Sequence, residues 1–92
     1  MIKSFGSKDT EALFYGKCPR QWIDIRARAE RKLAMIDAAY SLEFLRSPPG
    51  NRLELLRGNR KGQYSIRIND QWRVCFRWDD GNAFHVVIVD YH

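Results

Sequence analysis

The 92 residues, 45% of them hydrophobic, suffice for one domain (residues 1–92) with a modest core and are too few for two. No run approaches the roughly 18 apolar residues of a membrane span, and the opening MIKSFGSKDT lacks the apolar centre of a secretion signal, so a cytoplasmic protein with no membrane contact is expected. Two cysteines, Cys18 and Cys75, exclude a disulfide framework and have no metal-ligand spacing around them, and the formal net charge of +5 points to anionic partners.

In chain order, Met1 to Phe5 alternates like a short strand, and Glu11 to Tyr15 reads as a helical turn ended by Gly16. From Arg20 to Tyr40, the residues Trp22, Ile25, Ala29, Leu33, Ile36 and Tyr40 recur at steps of three and four, which predicts an amphipathic helix that Pro19 can start. Ser41 to Leu45 adds a short helical turn, closed by Ser47-Pro48-Pro49-Gly50-Asn51. The period then changes from 3.6 to 2. Arg52 to Arg57, Gln63 to Ile68, Trp72 to Trp78 and Ala83 to Asp90 read as four strands joined by short turns, and such turns join only antiparallel neighbours. The expected fold is α+β: an N-terminal strand, a helical segment, and an antiparallel meander covered by helices on one face.

The charge is not spread evenly. Between Arg52 and Arg77 seven basic residues face only Glu54 and Asp70, while the rest of the chain balances nine basic against nine acidic groups. Six of the seven are arginine, whose planar fork suits phosphate, so a polyanion such as RNA or DNA is the expected partner; a solvated basic face is the plainer alternative. Strand alternation puts Trp72, Val74, Phe76 and Trp78 towards the helices and Arg73, Cys75 and Arg77 away from them, with Arg67 joining the arginines. Those three arginines are expected to meet on one uncovered face. His85 reads as a tolerated mid-strand residue, and the three tryptophans as core.

The sequence ends on Asp90, Tyr91 and His92, a carboxylate, a phenol and an imidazole within three residues. Imidazole both gives and takes a proton near neutrality, which makes the ending a candidate active site. Parity places Asp90 and His92 on one face and Tyr91 on the other.

The pieces Gly58-Asn59-Arg60-Lys61-Gly62, Tyr64-Ser65-Ile66, Asn69-Asp70-Gln71-Trp72-Arg73-Val74-Cys75-Phe76 and Val89-Asp90-Tyr91-His92, with the opening Met1-Ile2-Lys3-Ser4-Phe5, closely resemble the HigB-type toxins of bacterial type II toxin–antitoxin systems. The resemblance covers nearly the whole chain and implies a RelE-like fold. It implies a ribosome-dependent endoribonuclease that cuts messenger RNA without metal or cofactor. A helix-turn-helix, HigA-like antitoxin would neutralise it, and operator DNA would be met only through that complex. The family's functional positions fall on Arg57, Arg73, Asp90, Tyr91 and His92, and Glu54 stands where close relatives often carry histidine.

Metal-free RNA cleavage needs a base for the 2′-hydroxyl proton, cations for the phosphorane and an acid for the leaving 5′-oxygen. The expected catalytic set is Glu54 as base, Arg73 as phosphate clamp, His92 as acid, Asp90 as its orienting carboxylate, and Tyr91. The expected RNA-binding set is Arg57, Arg60, Lys61, Arg67 and Arg77. Glu54 has a second reading, as an ion-pair partner of Arg52, Arg57 or Arg73. Two rival functions stay open: a non-catalytic or weakly catalytic binder of RNA or the ribosome, and a DNA-directed poison of gyrase.

Overall fold

The computed structural model describes residues 1–91. Helix α1, Lys8–Phe14, begins earlier than the apolar pattern suggested, because Ser7 caps it: the Ser7 hydroxyl accepts from the Thr10 amide at 3.1 Å. Gly16, at φ +97°, turns the chain out of the helix. The expected long helix is divided into a 3₁₀ segment, Arg20–Ile25, and α2, Arg26–Ala38. Ala39 is extended at ψ 136°, so the helical period stops there; Ala39 is buried, whereas Tyr40, expected on the apolar face, is 79% exposed. A short helix, α3, Leu42–Arg46, follows under its own serine cap, Ser41.

The meander has the predicted order, with strands β1 (Glu54–Leu55), β2 (Tyr64–Arg67), β3 (Trp72–Asp79) and β4 (Asn82–Asp90) pairing antiparallel in sequence. β1 is much shorter than the expected Arg52 to Arg57. Arg52 sits in the left-handed region at φ 46° and Gly58 at φ 67°, and these two turns leave only the residues between them free to pair. β3 and β4 join through Asp80-Gly81, both at positive φ, the conformation a two-residue hairpin turn needs to match strand twist.

One core forms between the helices and one face of the sheet. Leu13 of α1, Ala29, Leu33 and Ile36 of α2, and Leu45 of α3 pack with Ile66, Val74, Phe76, Ala83, Val86 and Ile88. Trp22 meets Trp72 edge to face at 6.1 Å, and Trp78 packs on the same cluster, so the tryptophans serve the core. Thr10 is buried in the seam, where its hydroxyl accepts from the Ile88 amide at 3.0 Å and ties α1 to β4.

β4 departs from strict alternation. Cys75 pairs with Val87 and Arg77 with Phe84, so Phe76 stands opposite two residues, His85 and Val86. This is a β-bulge, with His85 at φ 54° as the extra residue. The bulge shifts the phase so that Ala83 before it and Val86 and Ile88 after it are all buried, while His85 is exposed. It also explains why the opening segment is not a regular strand. Ile2 bridges Ala83 and Phe5 bridges Val86, both parallel, on the two sides of the bulge and without a continuous ladder.

Candidate active-site groove

The sheet register decides which side chains share the face away from the helices. Glu54 pairs with Ser65, Ser65 with Cys75 and Cys75 with Val87; one step along, Arg67 pairs with Arg73 and Arg73 with Val89. Tyr91, two residues past Val89, falls on the Arg73 face. Its ring lies 5.3 Å from the Arg73 guanidinium carbon, and its amide donates to the Gln71 carbonyl at 2.6 Å. Asp90 instead pairs with Trp72, on the helix side, where its carboxylate accepts from Gln71 Nε2 at 3.1 Å. The opposite facing of Asp90 and Tyr91 follows the expected parity, but the residue that joins the arginine is Tyr91. His92 lies outside the described residues.

Arg73 is buried, at 6% exposure, and its fork is directed inward. Nε donates to Ser65 Oγ at 2.8 Å, and Nη2 donates to the Arg52 carbonyl at 2.6 Å and, weakly, to the Ser65 carbonyl at 3.4 Å. Nη1 has no hydrogen bond to a described residue. The expected bidentate clamp is therefore already committed to the protein: Arg73 anchors the left-handed turn at Arg52 to β2. What it offers the groove is a fixed positive charge behind the Tyr91 ring.

The groove beside this anchor has a volume of about 420 Å³ and is lined by Glu54, Arg57, Asn59, Arg60 and Tyr91 over Leu55 and Leu56. Glu54 is exposed and forms no ion pair among the described residues, so the salt-bridge reading of this carboxylate has no geometry behind it. A carboxylate, two arginines and a phenol thus face one space. Lys61 lies around the Arg57 turn, in a second groove with Leu55, Leu56 and Gly62.

The three arginines keep the expected face, Arg67 paired with Arg73 and Arg77 four residues along β3, but they open onto different grooves. Arg67 ends β2, pairs with Asp70, and opens onto a groove against α2 with Arg28, Arg31 and Lys32. Burial and the charges of Arg31, Arg67 and Arg28 hold the Lys32 ammonium below its ordinary value. Arg77, beyond the bulge, borders a further groove with Arg60 and His85. Sequence parity missed this division because it ignored what α2 brings to the sheet edge. Cys75 is buried in the middle of the face; burial pushes its thiol up, against the opposing pull of Arg60 and Arg73, which leaves it a poor nucleophile.

The comparisons with known proteins agree with this architecture. The family model described as the RelE-like toxin of the type II toxin–antitoxin system HigB matches residues 8–92. Toxin HigB-1 of Vibrio cholerae is 52% identical over 58 residues, which is 63% of this chain, and an uncharacterised protein of Haemophilus influenzae is 42% identical over 62 residues. The chain spans 61% and 60% of the length of these two. Endoribonuclease HigB of Proteus vulgaris is 33% identical over 96 residues, covering all of both chains. Among solved structures, YoeB in the YoeB–YefM complex of Staphylococcus aureus superposes with a TM-score of 0.61 at 22% identity, over all of this chain and 98% of that one, which shows the shared fold. No helix among the described residues is long and apolar enough to cross a membrane. On the family match and on the full-length likeness, the chain belongs to the HigB family of RelE-like toxins of type II toxin–antitoxin systems.

Proposed function

We propose that the protein is a cytoplasmic toxin that cleaves messenger RNA on the ribosome, by 2′-hydroxyl attack and without a metal, until a HigA-like helix-turn-helix antitoxin binds it. The observation that carries this reading is the groove itself: Glu54, with no ion pair among the described residues, facing Arg57, Arg60 and Tyr91 beside the anchored Arg73. Glu54 takes the 2′-hydroxyl proton. Arg57 and Arg60, exposed or half-buried at the groove wall, bind the phosphoryl oxygens, while the Arg73 charge stabilises the phosphorane from behind the Tyr91 ring. His92 protonates the leaving 5′-oxygen, and Asp90, whose strand position faces away from the groove, acts through the segment that carries His92, which it ties to Gln71. Family membership and the name of the full-length Proteus vulgaris relative support the reaction class.

The test is cleavage of a defined message in a reconstituted translation reaction, with Glu54→Gln and His92→Gln compared with wild type. General acid–base roles predict a loss of about 10²-fold or more for each. Full inhibition of translation by both variants, with the message intact, supports a non-catalytic ribosome binder instead.

A further inference from the structure

His85 is the outlier of the fold. A β-branch-free but non-glycine residue at φ 54° in the middle of a nine-residue strand is unfavourable, and such conformations persist only where the surroundings over-determine them. Here the opening segment does so. The Ser4 hydroxyl accepts from the His85 amide at 2.9 Å, the Ser4 carbonyl accepts from the Val86 amide at 3.1 Å, and the Gly6 amide donates to the Val86 carbonyl at 2.7 Å. Gly6 fits because it lacks a Cβ, which would stand 3.0 Å from the Val87 Cβ and 3.2 Å from the His85 carbonyl. The bulge thereby holds an imidazole at the surface that strict alternation would have pointed inward.

The imidazole borders a groove of about 350 Å³ with Arg60, Arg77, Gln63 and Val87. Gly62, at φ 88°, brings its backbone against Arg77: a Cβ there would lie 3.4 Å from Arg77 Nη1. Neither Arg60 nor Arg77 forms an ion pair among the described residues; Arg60 Nη1 donates only weakly to Gln63 Oε1, at 3.4 Å. Arg60 also lines the candidate active-site groove, so the two spaces share one wall. Two guanidinium groups with no acidic partner among the described residues, and an imidazole, around one concavity make donors suited to a phosphate diester.

We propose that Arg60, Arg77 and His85 form a second phosphate-binding subsite, which holds a non-scissile phosphodiester of the same RNA strand beside the groove of Glu54 and Tyr91. The proposal rests on the RNA-cleaving reading of that groove and adds the direction in which the strand leaves it: past Arg60, over Cys75 and Val87, towards the bulge. Arg60 links the two phosphates.

The test is binding of a single-stranded, uncleavable 2′-O-methyl oligonucleotide of about a dozen nucleotides, within the usual footprint of small single-strand binders. Affinity is measured against salt for wild type, Arg77→Gln, His85→Gly, Arg57→Gln and Arg46→Gln. Glycine keeps the left-handed backbone open to the bulge while removing the imidazole. Thermal melts verify folding, and Arg77→Gln alone decides the matter if His85→Gly does not fold. Arg77→Gln and His85→Gly are expected to weaken binding about ten-fold each, as for one lost charge-assisted contact. Arg77→Gln should also make the salt slope shallower by about 0.7, one phosphate's share on a single strand. Arg46→Gln, remote on α3, should change neither quantity. Wild-type affinity in Arg77→Gln and His85→Gly, with Arg57→Gln weakened, overturns the subsite and leaves the active-site reading standing. Equal losses in Arg77→Gln and Arg46→Gln reduce the effect to net charge and overturn it as well. No binding by wild type overturns the subsite and leaves the ribosome-dependent reading to its own cleavage test.

Discussion

Arg73 gives the sharpest stability prediction, because its burial makes it structural whatever else it does. In Arg73→Ala two strong contacts disappear, to Ser65 Oγ at 2.8 Å and to the Arg52 carbonyl at 2.6 Å, and the 3.4 Å contact to the Ser65 carbonyl is too long to count. Hydrogen bonds from a charged donor contribute about 1.5–3 kcal/mol each. Ser65 is fully buried, so its hydroxyl is left with an acceptor that water does not reach, whereas Arg52 is exposed and its carbonyl regains water. Release of a half-desolvated cation offsets part of the loss. The expected destabilisation is about 2–4 kcal/mol, against a total of roughly 5–14 kcal/mol for a domain of this size. At about 4–8 °C per kcal/mol, Tm should fall by roughly 10–25 °C. Arg73→Lys keeps the charge, but a single ammonium cannot span Ser65 and Arg52 together, so its Tm should lie about midway. Circular dichroism melts and urea titrations read both numbers. An Arg73→Ala protein that melts within about 3 °C of wild type refutes the anchor.

Other outcomes follow from the same geometry. Glu54→Gln should lose cleavage by about 10²-fold or more with Tm unchanged, because the carboxylate is exposed and unpaired; a matching fall in Tm would mean that it holds the groove together instead. Tyr91→Phe keeps the ring on the Arg73 guanidinium and should melt like wild type, whereas Tyr91→Ala should lose about 0.5–1 kcal/mol, the worth of an exposed cation–π contact. Equal melting of Tyr91→Ala and wild type would show that the stack contributes nothing. The Cys75 thiol, raised by burial above its ordinary value of 9.0, favours the folded state only while it is protonated in both states. That contribution is complete below about pH 9 and is lost as pH rises from the unfolded value through the raised folded one, so wild type should destabilise more steeply than Cys75→Ala in alkaline melts. Thiol labelling at neutral pH should accordingly reach the half-buried Cys18 first, and faster labelling of Cys75 would contradict its burial.

How much of this was legible in the sequence depended on whether local signals or long-range pairing set the outcome. Period-2 alternation and the Asp80-Gly81 turn located the meander and its order, because hairpins are local. The long helix was overextended at both ends: apolar spacing cannot distinguish a 3₁₀ turn at Arg20–Ile25 from α-helix, and nothing in Tyr40 announces that Ala39 will turn. Glu54 was found as a candidate, and its freedom from Arg52, Arg57 and Arg73 was not readable, since all three were equally near in sequence. The division of the arginine face between separate grooves was hidden for a different reason. The β2–β3 register is unbroken, so Arg67 stays opposite Arg73, but α2 supplies Arg28, Arg31 and Lys32 to the edge where Arg67 ends, while Arg77 meets Arg60 and the His85 bulge further along β3. A signal for the bulge was present: Ala83, Val86 and Ile88 cannot all face the core at period 2 without an inserted residue between the first two. The inward commitment of the Arg73 fork was not foreseeable, because it depends on a left-handed turn at Arg52 twenty-one residues away in sequence.

The reaction proposed for this groove runs through the RNA substrate's own 2′-hydroxyl. Its most direct test is a message carrying a single 2′-deoxy nucleotide at the mapped cleavage site, incubated with the toxin and programmed ribosomes in the presence and absence of EDTA-pretreated toxin, with product ends identified by mass spectrometry. The all-ribose message should be cleaved to a 2′,3′-cyclic phosphate end with either toxin preparation, with no cleavage at the deoxy position. Cutting at the deoxy nucleotide, or translational arrest with every message intact, would contradict it.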